Sequence, residues 1–433
     1  MSRRVSRRRF LQTTAAAGAA NLLCRSLSAQ EKKLPASEKL AIGMIGLTNQ
    51  AEYDLNEVVK AGVAVVALCD VDESLSGKAR ERFPAAKFYT DYRKLIEHKG
   101  LDAVVIATPD HHHALATLAA LRSGLHVYCE KPLTHTVEEA RLVAETAAKH
   151  KRVTQMGTQI HAGDNYRRVV ELVQSGAIGT VREVHVWCGR SYGGAVRNNQ
   201  KFDVPKGLDW DLWLGPAPVR PYVPNAYHRF NWRQWWDFGG GTLADMACHH
   251  MDLPFWALKL RHPTRVMAWG APPHPEAVAM SLEVHYEFPA RGELPPVRLS
   301  WYDGGLRPYA FAEGKLPKWG DGTLFVGEKG MLLADYNRRV LLPEAKFKGF
   351  EPPKPFIKNS IGHHKEWVEA CKTGGETTCN FDYAGALTEA VLLGNVSYRC
   401  GKPLTWDAKN FKADVPEAER FIRKEYRKPW SLA

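Results

Sequence analysis

Short apolar runs alternate with helical patterns four times between Lys39 and Gln159, and this alternation constrains the fold more than any other feature. The runs are LAIGMIG, VAVVALCD, DAVVIATP and LHVYCEKP, and each is followed by a segment whose apolar residues recur at helical spacing. Continuous apolar runs of this length are typical of strands covered on both faces. Strands joined by helices connect right-handedly into one sheet. Residues 39–159 are therefore predicted to form a doubly wound parallel α/β sheet.

The pattern changes after Gln159. NYRRVVELVQSG predicts a helix, and six later segments predict strands: TVREVHVWCG, RVMAWG, MSLEVHYEF, VRLSWYD, TLFVGEKG and GMLLADY. Several of them alternate apolar and polar residues, which is typical of a sheet with one covered face. A last helix is predicted at LTEAVLLGNVSYRCG. Residues 160–433 therefore predict a second, α+β domain with an open, mainly antiparallel sheet.

The first 29 residues are predicted to be an export signal. Ser6 to Gln12 (SRRRFLQ) resembles the twin-arginine motif, and an Ala-rich apolar run from Thr13 to Leu23 follows it. That run is too short for an integral membrane span. We therefore expect a periplasmic or otherwise extracytoplasmic protein, with residues 30–38 as a linker. Because this route exports folded proteins, any cofactor is expected to be tightly bound.

Charge and cysteine content exclude several classes of protein. The chain has 59 lysines and arginines against 47 acids, a net charge of +12, and half of that excess is six arginines in the signal. A nucleic-acid partner is therefore not expected. Seven cysteines follow the signal and no Cys-x-x-Cys pair occurs, so no structural metal site is predicted. Cys69 and Cys129 end apolar runs and are predicted to be buried thiols.

The turn after the first predicted strand would hold phosphate if a dinucleotide binds. It reads Gly46-Leu47-Thr48-Asn49-Gln50-Ala51, so Thr48 replaces the second glycine of Gly-x-Gly-x-x-Gly. A plain tight turn explains these residues about as well. Asp70 favours the dinucleotide, because an acid at the end of the second strand binds the adenosine ribose hydroxyls and repels a 2′-phosphate. NAD is therefore predicted over NADP, and the candidate binding residues are Gly46, Thr48, Asn49 and Asp70.

Two further strand ends point to the same crevice. Ala107-Thr108-Pro109-Asp110-His111-His112-His113 follows the third strand, and Glu130-Lys131-Pro132 follows the fourth. Adjacent histidines cannot all face one ion, so metal is disfavoured here. Glu130 and Lys131 come directly after a buried strand, where a solvated ion pair is unusual, so a functional role is favoured for them. The candidate cofactor-binding residues of these segments are Thr108, Pro109, His113, Glu130 and Lys131.

The segment 239–252 of the second domain (GGGTLADMACHHMD) carries the candidate catalytic side chains. If it is helical, Asp245 and His249 lie four residues apart on one face. A carboxylate hydrogen-bonded to an imidazole raises its basicity, which suits a general base for an alcohol proton. A purely structural helix pair is the alternative on spacing alone. His250 and Asp252 are expected to point elsewhere.

These motifs resemble the Gfo/Idh/MocA (glucose–fructose oxidoreductase / inositol dehydrogenase) family, whose order they follow: Ala-Thr-Pro-x-x-x-His, Glu-Lys-Pro and Asp-x-x-x-His. Trp210 to Pro216 and Asn231-Trp232-Arg233 resemble its exported bacterial branch. The resemblance implies an N-terminal Rossmann domain, a C-terminal substrate and oligomerisation domain, and NAD as the cofactor. It also implies three catalytic residues, Lys131, Asp245 and His249, with His113 near the nicotinamide.

The resemblance implies an NAD-dependent oxidoreductase that transfers a hydride from a sugar, polyol or glycoside. A redox-neutral glycoside hydrolase or epimerase that uses bound NAD transiently is the alternative, and the sequence does not separate the two. A non-catalytic sugar-binding protein is the third hypothesis, which Thr48 suggests and the retained catalytic residues oppose. The family also implies a homo-oligomer through the C-terminal sheet. Five tryptophans serve either sugar stacking or core packing: Trp210, Trp213, Trp232, Trp235 and Trp236.

Overall fold

A computed structural model describes residues 39–198, 200–314 and 316–433. The predicted signal and linker, residues 1–38, lie outside the described residues. From Lys39 to Ala433 the chain forms one compact unit. None of the helices within the described ranges is long and apolar enough to cross a bilayer.

Six parallel strands form the sheet of the first half, in the order β3-β2-β1-β4-β5-β6. They are β1 Ala41–Ile45, β2 Ala64–Cys69, β3 Lys87–Tyr89, β4 Ala103–Ile106, β5 His126–Cys129 and β6 Thr154–Met156. Every residue of β4 is buried, as expected of a strand covered on both faces. The strand order reverses between β1 and β4, and this reversal opens a crevice beyond their carboxyl ends. The predicted doubly wound sheet is confirmed.

Five helices accompany these strands: α1 Gln50–Lys60, α2 Gly77–Arg82, α3 Tyr92–Ile96, α4 Asp110–Arg122 and α5 Val137–His150. The last begins with a capping box, in which Thr136 Oγ1 accepts from the Glu139 amide and the Glu139 carboxylate accepts from the Thr136 amide. The strands β3 and β6 were not predicted, because three residues are too few to show a periodic pattern.

Nine strands form the second sheet, in the order β13-β12-β11-β7-β10-β9-β8-β14-β15. They are β7 Val181–Trp187, β8 Arg265–Trp269, β9 Glu283–Phe288, β10 Val297–Tyr302, β11 Gly322–Gly327, β12 Gly330–Ala334, β13 Arg339–Leu342, β14 Leu404–Asp407 and β15 Lys412–Ala413. The pair β7–β10 is parallel and the other pairs are antiparallel. The prediction of a mainly antiparallel sheet is therefore confirmed.

The helices of the second half are α6 Asp164–Gln174, α7 Trp210–Leu214, α8 Gly241–His250, α9 Asp252–Leu258, α10 His363–Thr373, α11 Phe381–Cys400 and α12 Glu419–Ile422. The 20-residue α11 is buried along most of its length. It packs against α5 of the first half and against α8 of the second. One continuous hydrophobic core therefore runs through both halves, and it holds the crevice and α8 in a fixed relation.

The Trp-rich segment packs into a core of its own. Trp213, Trp232 and Trp235 are buried in one cluster with Tyr227 and Phe238, and Trp210 stacks on Trp213 at 4.6 Å between ring centroids. Core packing is thus the main role of these rings, and Trp213 and Trp232 also face the crevice. The seven cysteines of the described residues are all free thiols, and Cys69 and Cys129 are buried as predicted.

Candidate active site

A cleft of about 1100 Å³ lies at the carboxyl ends of β1, β2, β4 and β5. Parallel strands bring their ends to one edge of the sheet, so residues distant in the chain meet there. Most of the predicted cofactor-binding residues line this cleft: Gly46, Thr48, Asn49, Asp70, Thr108, Pro109, Glu130 and Lys131. The Trp-rich segment of the second half closes the opposite wall with Trp213, Trp232 and Arg233.

The turn between β1 and α1 requires its first glycine. Gly46 has φ +89°, and a Cβ at this position would lie 2.6 Å from the carbonyl oxygen of Ala107. Two residues after Thr48, the helix α1 begins at Gln50, which also lines the cleft. The free amides and partial positive charge of a helix N-terminus favour a phosphate. The turn therefore suits a dinucleotide even though Thr48 replaces the second glycine.

Asp70 follows β2 at the cleft, with both carboxylate oxygens anchored to the backbone. One accepts from the Leu47 amide at 3.0 Å and the other from the Asp72 amide at 3.0 Å. Burial outweighs these bonds and raises the pKa of Asp70 to about 6. Each oxygen keeps a second lone pair, so the anchored carboxylate can still accept a ribose hydroxyl.

Several buried polar atoms of the cleft wall have no hydrogen-bond partner among the described residues. They are Thr108 Oγ1, Asp110 Oδ1 and His112 Nδ1. An unsatisfied buried polar atom costs about 1–3 kcal/mol. A ligand rich in hydroxyl, amide and phosphate groups would satisfy such atoms, so the residues present fit NAD.

Lys131, Asp245 and Arg233 form a buried ion cluster where the two halves meet. Asp245 Oδ1 accepts from Lys131 Nζ at 2.8 Å and from Arg233 Nε at 2.9 Å. The Lys131 and Asp245 side chains are only 11% and 6% exposed. Burial alone would raise the pKa of Asp245, but the two cations hold it well below its usual range. Burial would likewise lower the pKa of Lys131, but Asp245 and Glu130 together outweigh it and raise this pKa, so the ammonium stays charged.

The structure corrects one predicted contact of this cluster. Asp245 and His249 do lie four residues apart in α8, but the carboxylate is turned to Lys131 and Arg233 instead of the imidazole. Full cations bind a carboxylate more strongly than a neutral ring does. Within the described part of the chain, the His249 ring has no hydrogen-bond partner. Burial first, and then the charge of Lys131, lower its pKa well below the usual value, so the ring is neutral and can accept a proton.

The His113 ring, which the resemblance places near the nicotinamide, contacts two backbone carbonyl groups. Its Nδ1 lies 2.7 Å from the Pro132 carbonyl and its Nε2 lies 2.8 Å from the Thr108 carbonyl. The ring is buried and is anchored to the backbone of two cleft segments. His111 and His112 both contact the carbonyl oxygen of Trp213. The three histidines therefore brace the start of α4 against neighbouring segments.

Glu130 belongs to a buried acidic network that the sequence did not reveal. Its Oε1 accepts from Gln159 Nε2 at 2.6 Å and from Gln50 Nε2 at 3.4 Å. Burial, followed by the charge of Asp54, raises the pKa of Glu130 well above its usual value. Asp54 is itself fully buried, and its Oδ1 lies 2.9 Å from His364 Nε2. The network therefore holds Glu130, and with it the backbone of the neighbouring Lys131, in place.

Arg233 is the main functional residue that the motifs did not identify. It lies in the Asn231-Trp232-Arg233 motif, which carried the resemblance but no assigned role. Its guanidinium also packs over the Trp232 ring at 4.1 Å and the Phe230 ring at 4.4 Å. These contacts restrain the cation that shares Asp245 with Lys131.

Two family models match this chain. The model described as oxidoreductase family, NAD-binding Rossmann fold, matches residues 40–158. The model described as oxidoreductase family, C-terminal alpha/beta domain, matches residues 164–293. Together they cover more than half of the chain, and both carry the Gfo/Idh/MocA designation.

Individual relatives are similar over part of this chain. Inositol 2-dehydrogenase of Salmonella typhimurium is 35% identical over 155 residues, which are 35% of this chain and 44% of that protein. Alpha-N-acetylgalactosaminidase of Shewanella oneidensis is 27% identical over 201 residues, 40% of this chain and 44% of that protein. The chain thus matches less than half the length of these curated relatives.

Solved structures extend the likeness of the fold to both halves. The crystal structure of GenD2 from gentamicin A biosynthesis in complex with NAD matches with a TM-score of 0.60. It is 20% identical and covers 88% of this chain and all of that chain.

Proposed function

Because this chain belongs to the Gfo/Idh/MocA family of NAD-binding oxidoreductases, we propose that it dehydrogenates a sugar, polyol or glycoside. The observation that carries the proposal is the charged Lys131 amine, held by Asp245 at 2.8 Å on the rim of the nucleotide cleft, with the neutral His249 on the same helix as Asp245. NAD, when bound, supplies the hydride acceptor.

Two side chains act on the carbinol in this proposal. His249 accepts the hydroxyl proton, since burial and the charge of Lys131 keep its ring neutral. Lys131 donates a hydrogen bond to the same oxygen and stabilises the negative charge that develops there. Asp245 is a positioning residue, because its carboxylate keeps the ammonium charged and fixes its direction.

The cofactor side of the cleft favours NAD. The turn at Gly46 and the start of α1 suit the pyrophosphate, and the buried Thr108 hydroxyl offers a further contact. Asp70 suits the ribose hydroxyls and disfavours a 2′-phosphate.

A redox-neutral hydrolase is the second candidate. The similarity to alpha-N-acetylgalactosaminidase of Shewanella oneidensis, at 27% identity, favours it specifically. Such a reaction would need the same proton acceptor, and the same hydrogen-bond donor to the carbinol oxygen, for the oxidation. The aglycone would then leave as an alcohol, water would add in its place, and the hydride would be returned. A tightly bound cofactor that is regenerated in each cycle suits this chemistry and the predicted export equally.

Product analysis separates the two candidates. The full chain is purified, its released nucleotide is identified by mass spectrometry, and the protein is incubated with polyols, sugars and chromogenic glycosides. A ketone or lactone that accumulates with reduced NAD supports the dehydrogenase. Cleavage of a glycoside without net reduction supports the hydrolase, and the absence of both reactions contradicts an enzymatic role on carbohydrates.

Variants test the assigned residues. Lys131→Ala and His249→Ala are expected to retain NAD and to lose turnover. His250→Ala is the matched control, because this neighbouring histidine contacts Tyr336 at 3.2 Å instead of the ion cluster. Near-normal turnover in either of the first two variants would refute the roles given above.

Export and assembly are proposed on the sequence alone. Replacement of Arg7 and Arg8 by lysine is expected to keep the protein in the cytoplasm, which cell fractionation measures. Light scattering is expected to give a homo-oligomer, and a monomer at micromolar concentration would contradict assembly through the second sheet.

A further inference from the structure

A second cavity, of about 950 Å³, lies between the start of α5, the end of α11 and the segment around α12. It shares no lining residue with the nucleotide cleft. Four of its lining side chains are basic: Arg399, Arg420, Arg423 and Lys424. This cavity, called the α11 cavity below, has no part in the function proposed above.

The basic side chains of the α11 cavity differ in their partners. Lys424 Nζ lies 2.8 Å from Glu139, and Arg423 Nε lies 2.8 Å from Glu138.

Arg399 makes neither a hydrogen bond nor an ion pair with any described residue. Arg420 likewise makes no ion pair with a described residue, but its side chain is exposed. The lining acid Asp237 raises the pKa of Arg399 but is itself paired with Arg220. Arg399 is therefore the half-buried cation of this cavity that has no direct ion pair among the described residues.

Aromatic rings hold the Arg399 guanidinium in place. It lies 4.8 Å from the Trp236 ring centroid and 4.1 Å from the Phe421 ring centroid. Burial lowers the pKa of Arg399 to about 10, because a charge held away from water is disfavoured. The ring faces attract the cation, but they do not accept hydrogen bonds from the N–H groups that point outward in the plane of the guanidinium. The planar fork is thus oriented and still free to bind a planar or tetrahedral oxyanion.

Asn395 adds a second unsatisfied group one turn earlier on α11. Its Nδ2 donates to the Gly240 carbonyl at 2.9 Å, which fixes the amide orientation. Its Oδ1 is buried and has no donor among the described residues. An occupant that satisfies both Arg399 and Asn395 needs an anionic oxygen and a nearby hydroxyl.

We propose that the α11 cavity binds a small hydroxylated oxyanion, in which a carboxylate or a phosphate group pairs with Arg399. The anionic group takes the two free N–H edges of the guanidinium, and a hydroxyl group donates toward Asn395. The site is separate from the nucleotide cleft and is available while NAD is bound.

Calorimetric titration of the NAD-saturated full-length protein tests the proposal. The probes are inorganic phosphate, D-glucose 6-phosphate and D-gluconate, with D-glucose as the uncharged control. Saturable binding of an anionic probe is expected at one site per chain, in addition to any binding that D-glucose shows at the nucleotide cleft. Binding of the two phosphates identifies a phosphate site, and binding of D-gluconate alone identifies a carboxylate site. Failure of all three anions to bind overturns the proposal.

Variants locate the bound anion. Arg399→Met keeps an apolar stem between the two rings and removes the charge, so the affinity is expected to fall about tenfold or more. Arg399→Lys keeps the charge but not the planar guanidinium, so its affinity for the anion is expected to fall less than that of Arg399→Met. Arg265→Met, at an exposed arginine of β8, is the matched control and should bind as the parent does. Retained NAD content shows that each variant is folded, and undiminished binding by Arg399→Met refutes the site.

Discussion

Replacement of Asp245 by asparagine is expected to destabilise the protein much more than replacement of Lys131 by methionine. The asparagine leaves the buried cations Lys131 and Arg233 next to each other without a carboxylate. The methionine removes one cation and leaves Asp245 paired with Arg233 at 2.9 Å. The two variants break the same 2.8 Å contact. Asp245→Asn leaves two positive charges in the cluster, whereas Lys131→Met leaves one positive and one negative charge.

The size of the difference follows from these distances. Across 2.8 Å the attraction between Lys131 and Asp245 is about 6 kcal/mol at an effective dielectric constant near 20, and desolvation of the two ions offsets much of it. Removal of one partner that leaves a buried charge uncompensated costs about 3–5 kcal/mol. We expect that loss for Asp245→Asn and about 1–2 kcal/mol for Lys131→Met, in which the remaining charges balance.

The pH dependence gives the comparison a second readout. Without Asp245, burial is the dominant influence on the pKa of Lys131, which then falls. The amine therefore loses its proton more readily in the folded variant than in the unfolded chain. The cost of Asp245→Asn should accordingly shrink as the pH rises, whereas the cost of Lys131→Met should not.

Urea unfolding of the NAD-saturated variants at pH 7 and pH 9, followed by circular dichroism, measures both effects. Turnover is recorded in parallel and is expected to fall about 100- to 1000-fold in Lys131→Met, as for the loss of a transition-state donor. Equal free-energy losses in the two variants, or a larger loss in Lys131→Met, would refute the charge-balance argument.

Three further outcomes are expected. Gly46→Ala should weaken NAD binding about tenfold or more, measured by equilibrium dialysis, because its Cβ would meet the Ala107 carbonyl at 2.6 Å; unchanged affinity contradicts the turn's role. Asp70→Asn should narrow the ratio of the NADP and NAD dissociation constants about tenfold, and an unchanged ratio would remove Asp70 from the ribose site. The pKa of Asp54 is about 7 in the folded protein against 3.8 ordinarily, so its contribution to stability is present below pH 4 and is lost as the pH rises through 7. The free energy of unfolding of Asp54→Asn, measured with urea, should therefore rise relative to that of the parent by up to about 4 kcal/mol between pH 4 and pH 8. If the free energies of the two proteins change equally with pH, the argument is wrong.

The sequence predicted those parts of the fold whose cause is local. Strands such as β4 and helices such as α5 were recognised because burial leaves a pattern of apolar residues in consecutive positions. The short strand β6 leaves no such pattern, since its three residues are too few to show one and its partner is β5, elsewhere in the chain. The location of the cleft residues was also predictable. Parallel strands end at the same edge of the sheet, so Gly46 and Lys131 lie at one edge although they are far apart in the chain.

The partners of the site residues were less predictable. The spacing of Asp245 and His249 suggested a local pair, but the carboxylate is bound by Lys131, 114 residues away. Whether a cation or a neutral imidazole binds the Asp245 carboxylate depends on which groups the fold brings near it. The spacing of residues along one helix does not contain that information. The contact between Asp54 and His364, 310 residues apart, has the same origin.

The ion pair between Lys131 and Asp245 has a consequence for recombining proteins of this kind. The amine follows β5 of the first half, and the carboxylate lies on α8 of the second. The first half alone therefore carries an unpaired cation at the shared boundary, whereas Arg233 still balances Asp245 in the second half. A chimera that joins residues 39–159 to a foreign C-terminal partner would thus need an acid at the position of Asp245. The two halves are therefore exchangeable only as a matched set.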